Sequence, residues 1–380
     1  MTMGTRVDTN LLPELKDYGA VNVEACFNCG NCTAICPLAD GDHPFPRNVI
    51  RLIQVGMKDK LLTSADPWLC YYCGECSETC PKGAEPGETL MAVRRWMTAQ
   101  YDWTGLGKKF YTSKVWEIGT ILFVALFVIL GFVFFHGPVV TENVELNTFA
   151  PVEVIHILDW LMAGFLSFFL LTNVFRMFLK ILIKGTDIRI PISAYILEAW
   201  NLVLHVFTQK KYSECDNRRP WIDHLILVFG YGTMFAIIVL FLPWFQTDNI
   251  YPITHPQRWL GYLATIALLY GAGQALWGRV KKVRQMHRFS HLSDWVFPIL
   301  LMVTTITGIL VHILRYAGLP MATYVTYVIH LAVLAPMLIL EVPFGKWAHM
   351  AYRPFAQYFI AVRKRAEEYQ GALEAASAAD

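Results

Sequence analysis

Charge is scarce in this chain. Of its 380 residues only 16% are Asp, Glu, Lys or Arg while 55% are hydrophobic, a balance that excludes an ordinary soluble protein of this size. Carboxylates are rarer still within the apolar runs, where Asp159 and Glu341 stand out and Glu117 lies near an end. That leaves little for an ion translocator, which needs a chain of such groups. No glycine fingerprint follows a strand: Gly271 and Gly273 sit inside an apolar run and read as helix packing, so no nucleotide or flavin site is expected there. The first twenty residues hold no apolar core long enough for a signal peptide, so the N-terminal part is expected in the cytoplasm. The net charge of +2 carries no basic field, and no nucleic-acid partner is expected. Cysteine is confined as well. Eight of nine fall in two short strings, leaving Cys215 alone, read as an inert loop thiol.

The two strings are CFNCGNCTAICP, Cys26 to Pro37, and CYYCGECSETCP, Cys70 to Pro81. Each reads Cys-x-x-Cys-x-x-Cys-x-x-x-Cys-Pro, the run of thiolates that holds [4Fe-4S] clusters in two-cluster ferredoxins. Three cysteines spaced by two residues let one tight loop wrap three corners of a cubane. In the ferredoxin arrangement the cysteine before Pro ligates the other cluster. Cluster one is accordingly expected on Cys26, Cys29, Cys32 and Cys80, and cluster two on Cys70, Cys73, Cys76 and Cys36. Paired cysteines also serve zinc and disulfides, but zinc has no use for the third spacing plus Pro, and disulfides suit a secreted chain.

The chain divides near residue 110. Residues 1–110 have soluble composition, and between the strings Val49, Ile50, Ile53 and Met57 predict a short amphipathic helix over the clusters. A second helix is expected over GETLMAVRRWMTAQYDW, with Arg94 and Arg95 on a solvated face. Six apolar runs follow, at 114–136, 152–183, 221–246, 258–280, 291–316 and 321–349. Each suffices to cross about 30 Å of hydrocarbon at about 1.5 Å per residue. The segment PISAYILEAWNLVLHVFTQKKY predicts an interfacial helix. Segments 180–190, 209–219, 279–290 and 350–365 hold 3, 4, 5 and 4 Lys or Arg, whereas 137–151 holds none. The positive-inside rule then places both termini and the clusters on the cytoplasmic side of the inner membrane. The fold class expected is mainly α: a two-cluster ferredoxin-like helical domain at 1–110, a six-helix transmembrane cytochrome b bundle at 111–350, and a cytoplasmic tail at 351–380.

Imidazole is an axial ligand of haem iron, and a bis-His b-type haem takes two residues from different helices at equal depth. Of eleven histidines, His43, His136, His205, His255, His287 and His291 lie in the soluble part or at interfaces. His224, near the inner start of the third run, and His349, near the inner end of the sixth, are expected to clamp one haem beside the clusters. His330 lies nearly 30 Å up the same helix at about 1.5 Å per residue and suits a second haem. Nineteen residues leave the two histidines about 100° apart on an ideal helix, so distortion at Pro336 or Pro343 is expected. For the partner of His330 we take His312, with His156 the runner-up and Met234 a third choice. Arg258, Asp159, His156 and Tyr324 are the residues able to hold a quinol headgroup at the outer half.

These residues carry a resemblance. The N-terminal part resembles the C subunit of heterodisulfide reductase, and helices 2 to 6 resemble the gamma subunit of respiratory nitrate reductase, a di-haem quinol-oxidising cytochrome b. VIHLAVLAPMLILEVPFGKWAHM is similar to that family's last helix, where His330 and His349 match one ligand to each haem. WIDHLILVFGYGTMF is similar to its second helix, where His224 matches one ligand and the other position falls on Met234, a departure. The fusion of both halves resembles the C subunits of quinone-interacting membrane-bound oxidoreductase complexes. That resemblance implies oxidation of menaquinol from the membrane quinone pool, two haem b and two [4Fe-4S] clusters. It further implies flavin-containing heterodisulfide reductase A-like partner subunits and adenylylsulfate reductase as the acceptor in sulfate respiration. Analogous fusions serve heterodisulfide-reductase-like and sulfite-reductase-associated complexes, and an iron-sulfur membrane anchor would need no paired histidines.

Overall fold

The structure, a computed structural model, describes residues 6–377. It is almost wholly helical, with no strand among the described residues. The helices that matter here are α1 (Leu11–Asp17), α2 (Arg47–Gln54), α3 (Lys58–Thr63), α4 (Pro86–Tyr101), α5 (Leu106–Thr112), α6 (Lys114–Phe135), α7 (Val152–Phe178), α8 (Ile192–Thr208), α9 (Arg219–Leu240), α10 (Pro256–Lys281), α11 (Ser293–Tyr316), α12 (Pro320–Pro336) and α13 (His349–Ser377).

Val49, Ile50 and Ile53 bury on one face of α2, as their spacing predicts, but Met57 lies beyond the helix end. Gly56 breaks the helix there: its φ is +69°, and a Cβ on it would stand 2.5 Å from the Asp8 carbonyl oxygen. α4 is buried almost throughout, including Arg94 and Arg95, so the solvated face expected for that pair is not there. Both guanidinium groups have interior acceptors instead. Arg94 donates to the Cys70 carbonyl at 3.1 Å, and Arg95 to Asp294 at 2.7 Å and Glu88 at 3.2 Å. A buried charge persists only when paired in this way.

Six spans are long and apolar enough to cross a membrane: Lys114–Phe135, Val152–Ile183, Arg219–Leu240, Pro256–Lys281, Ser293–Tyr316 and Pro320–Phe344. The chain is a multi-pass membrane protein. α6 exposes Phe123, Phe127 and Phe134 by 70% or more, a surface suited to lipid. Pro256 opens α10 at a position where its missing N–H costs nothing, and the preceding His255 accepts from Gln257 N. α9 and α10 cross closely because Gly230 and Gly271 carry no side chain: a Cβ would stand 2.9 Å from Ala267 and 2.7 Å from Leu227.

The sixth span departs from expectation. It runs as α12 to Pro336, widens into a π-turn at Met337–Glu341, and stops at Phe344. Pro343 cannot donate to the ladder, and Gly345 leaves helical geometry at φ −108°, ψ −152°. His349 is therefore not on the helix of His330; it opens α13. The break replaces the smooth distortion expected between the two histidines.

Residues 349–377 form one long helix. Tyr352, Ala356, Phe359 and Val362 of α13 join Trp68, Trp96, Tyr101 and Leu90 in a single core. Full burial of each such large apolar side chain stabilises by about 1.5–3 kcal/mol. The same core takes in Val174, Met177 and Ile181 at the end of α7, so the cysteine-bearing segment is seated on one end of the bundle. α8 turns Ile196, Trp200 and Phe207 outward, exposed by 69% or more, and buries Ala194, Glu198 and His205. Its outward face is apolar, as an interfacial helix requires.

Candidate redox sites

The two cysteine loops share one backbone design. Asn28 and Tyr72, at the same motif position, both have positive φ, 60° and 59°, and Gly30 and Gly74 follow at 87° and 93°. In each loop the amide of that residue donates to the first sulfur, Asn28 N to Cys26 Sγ at 3.4 Å and Tyr72 N to Cys70 Sγ at 3.3 Å. A left-handed residue without glycine is strained, and strain kept twice at equivalent positions marks a functional loop. Each loop closes on a short helix, Asn31–Ala34 and Glu75–Glu78.

The first loop lends its last cysteine to the second. Cys36, from the first string, lines one small cavity with Cys70, Cys73 and Cys76 of the second. In the other direction Asn31 donates to the carbonyl of Thr79 at 2.8 Å, tying the first loop to the residue before Cys80. Among the described residues no three His, Cys, Asp or Glu are arranged for a single metal ion. The thiols surround a space instead. Apolar neighbours such as Phe45, Leu38 and Leu90 line it, a shell that controls solvent access to a cluster. Burial pushes the Cys36 thiol up to about 12 and the Cys70 thiol up to about 11, so loading must displace protons. The residues present fit four-iron clusters.

The sites differ in exposure. Cys70 and Cys76 are buried, whereas Cys29 is open to solvent beside Phe27, which is 58% exposed. The second site faces inward, the first outward.

His224 and His349 come together. Their ring centres stand 6.1 Å apart with planes at 62°. An imidazole nitrogen ligates metal at about 2.0–2.1 Å, so two rings on opposite sides of one iron lie roughly 6 Å apart, centre to centre. The His224 Nδ1 is buried without a partner. His349 Nδ1 meets the Lys346 carbonyl, which leaves its other nitrogen without that bond and available as a ligand. Burial, then the nearby Arg353 and Arg94 guanidinium groups, hold the His349 imidazole well below its ordinary range, so it is neutral as a ligand must be. The pair fits an axial clamp.

Between this pair and the second cysteine loop lies an aromatic bridge that no periodicity in the sequence announced. Tyr212 stands 6.1 Å from His224 and stacks on Tyr71 at 4.5 Å and 16°. Tyr71 follows Cys70 and lines both the cysteine cavity and the pocket of the histidines. Arg353 covers Tyr71 at 4.3 Å and donates to the Cys70 carbonyl at 2.8 Å. The visible signal was the Cys-Tyr-Tyr-Cys of the second string, where the first has Cys-Phe-Asn-Cys.

Toward the end of the bundle away from the cysteine loops, α9 to α12 enclose a cavity of about 290 Å³. His330, His312 and Met234 all line it, together with Arg258. His330 Nδ1 is held by Thr307 Oγ1 at 3.0 Å and the Thr304 carbonyl at 3.1 Å, and Gly308 lets the ring lie close, since a Cβ there would stand 3.0 Å from it. His312 Nε2 meets the Tyr262 hydroxyl at 2.8 Å, and Arg258 donates to that same hydroxyl. The cavity is large, mostly apolar and carries a held imidazole, so the residues present fit a second planar group. His156, Asp159 and Tyr324 do not line it. His156 Nε2 lies 3.1 Å from the Val239 carbonyl, and Tyr324 is occupied by Val140 O and Glu145 N, both at 3.0 Å. Arg315, Tyr262 and Tyr316 join Arg258 at the rim.

Residues 22–84 match the model of the 4Fe-4S dicluster domain. The chain carries an N-terminal 4Fe-4S dicluster domain. Over 98 residues it is 32% identical to a protein of Archaeoglobus profundus that is like the C subunit of heterodisulfide reductase, covering 26% of this chain and 52% of that one. It is 30% identical over 82 residues to the iron-sulfur C subunit of the CoB–CoM heterodisulfide reductase of Methanopyrus kandleri, covering 22% and 43%. The C subunit of the H2:CoB-CoM heterodisulfide,ferredoxin reductase of Methanothermobacter marburgensis is 34% identical over 76 residues, covering 20% and 41%. The chain thus spans about half the length of the curated relatives it matches, or less. No solved structure matches it.

Proposed function

We propose that this chain is the membrane subunit that oxidises menaquinol and passes electrons through two b-type haems and two [4Fe-4S] clusters. The acceptors are flavin-containing heterodisulfide reductase A-like partners and, beyond them, adenylylsulfate reductase in sulfate respiration. The observation that carries this reading is the His224–His349 pair, 6.1 Å apart at the mouth of an aromatic bridge to Cys70. Haem and cluster supply one-electron carriers that no side chain here can replace.

The residues then have separate tasks. Cys26, Cys29, Cys32 and Cys80 hold one cluster; Cys70, Cys73, Cys76 and Cys36 hold the other. His224 and His349 hold the inner haem, and His330 holds the outer one with His312 as its partner. At the cavity rim Arg258 and Tyr262 orient the quinol headgroup and accept its developing charge. The exposed Cys29 loop is the exit, where a partner docks. The excess of Lys and Arg in the loops at the cysteine end supports an inner-membrane chain with both termini in the cytoplasm. Residues 1–110, 111–350 and 351–380 serve as cluster domain, haem domain and cytoplasmic extension.

A reduced-minus-oxidised optical spectrum of the purified chain tests the reading. A b-type band that falls by about half in His349→Ala, with both cluster signals retained after dithionite, is the expected result. A wild-type chain with no b-type band would end it. The names of the relatives favour a second assignment, the same wire serving a heterodisulfide-reductase-like complex. The partner that co-purifies separates the two.

A further inference from the structure

The loop joining α8 to α9 delivers one more thiol to the inner cysteine site. Cys215, 3% exposed, lines the same cavity as Cys36, Cys70, Cys73 and Cys76. It packs against Tyr71 and Tyr212, the two rings of the aromatic bridge, and its thiol neighbours that of Cys73. The equivalent of Cys73 in the first string is Cys29, which is exposed. Where one site meets water, the other meets a sulfhydryl. The inert role expected from sequence does not suit that position, because a buried thiol has a hydrogen to give and the cysteine sulfurs are acceptors.

We propose that Cys215 is a positioning residue of the inner cluster: its S–H donates to the Cys73 sulfur and raises that cluster's reduction potential. Hydrogen bonds to cluster sulfurs are among the levers that set such potentials, since they stabilise the more negative, reduced state. The inner cluster, next to the histidine pair, becomes a better electron collector, and the donor comes from the loop that also carries Tyr212. This inference rests on the reading of the second string as a [4Fe-4S] site.

The test is potentiometric titration of both cluster signals by electron spin resonance, on the full-length chain in detergent. Cys215→Ala should lower the inner cluster's reduction equilibrium constant about tenfold, 59 mV for a one-electron couple, and leave the outer cluster unchanged. Cys215→Ser, which keeps a donor, should recover most of the loss. An unshifted inner cluster in Cys215→Ala overturns the proposal, as does an equal shift of both clusters. Conversion to a three-iron signal also overturns it, by making Cys215 a ligand. Absence of two four-iron signals from the wild-type chain would instead remove the underlying reading of the strings.

Discussion

Arg95 offers the sharpest test of how the cysteine-bearing segment is held to the bundle. It is 4% exposed and lies between two buried carboxylates, Glu88 on its own helix and Asp294 at the start of α11. Asp294 also pairs with Lys346, just before His349. At the 2.7 Å of the Arg95–Asp294 contact, Coulomb attraction is about 6 kcal/mol for an effective dielectric of ~20. Desolvation of both charges offsets much of that, so the intact pair contributes little net. Removing one partner is a different matter. Arg95→Leu leaves Glu88 facing Asp294 without a cation between them, and it removes the donor to the Tyr18 carbonyl at 2.9 Å. Breaking a buried pair costs about 3–5 kcal/mol. Denaturant unfolding in mild detergent, followed by the fluorescence of buried tryptophans such as Trp68 and Trp96, should show a loss of that size. Adding Glu88→Gln should return about 0.5–3 kcal/mol as a coupling term. Were Arg95→Leu within about 0.5 kcal/mol of wild type, the residue would be behaving as a solvated surface arginine.

Other perturbations separate the sites. Arg258→Leu should raise KM for quinol at least tenfold while leaving both cluster signals and the inner b-type band intact; steady-state kinetics with menaquinol analogues measures it. His330→Ala should remove only the outer haem, read as loss of half the pyridine haemochrome. Gly271→Leu should destabilise by about 1–3 kcal/mol through its clash with Leu227, whereas Gly273→Ala, whose nearest neighbour is Met302 at 3.7 Å, should be tolerated; thermal stability in detergent compares them. His43 is linked to Asp66 at 2.8 Å, a hydrogen bond that raises the imidazole above its ordinary range. A raised value stabilises the fold below about pH 6.5 and the effect fades as pH climbs through the folded value, so His43→Asn should flatten the pH dependence of unfolding above about pH 6.5.

Local chemistry was legible without a fold. Cysteine spacing with the terminal Pro specified cubane loops, because three cysteines two residues apart are a matter of short-range geometry. Six spans were legible too, since a bilayer demands long uninterrupted apolar helices whatever packs against them. Their ends were less so. Helix three stops at Leu240 and helix six at Phe344, where Pro243, Pro343 and Gly345 interrupt the ladder in runs that hydropathy alone reads as continuous.

Tertiary structure decided the rest. Composition could not tell that Arg94 and Arg95 turn inward, because a basic pair on a helix reads as solvated until acceptors from Cys70 and Asp294, 24 and 199 residues away, are placed beside it. Nor could spacing reveal that the helix of His330 breaks before His349, or that Cys215 and Tyr212 leave the bundle loops to reach the inner cysteine site. Ligand type is written in one short segment of chain, but which carrier neighbours which is written in contacts between segments that only folding brings together.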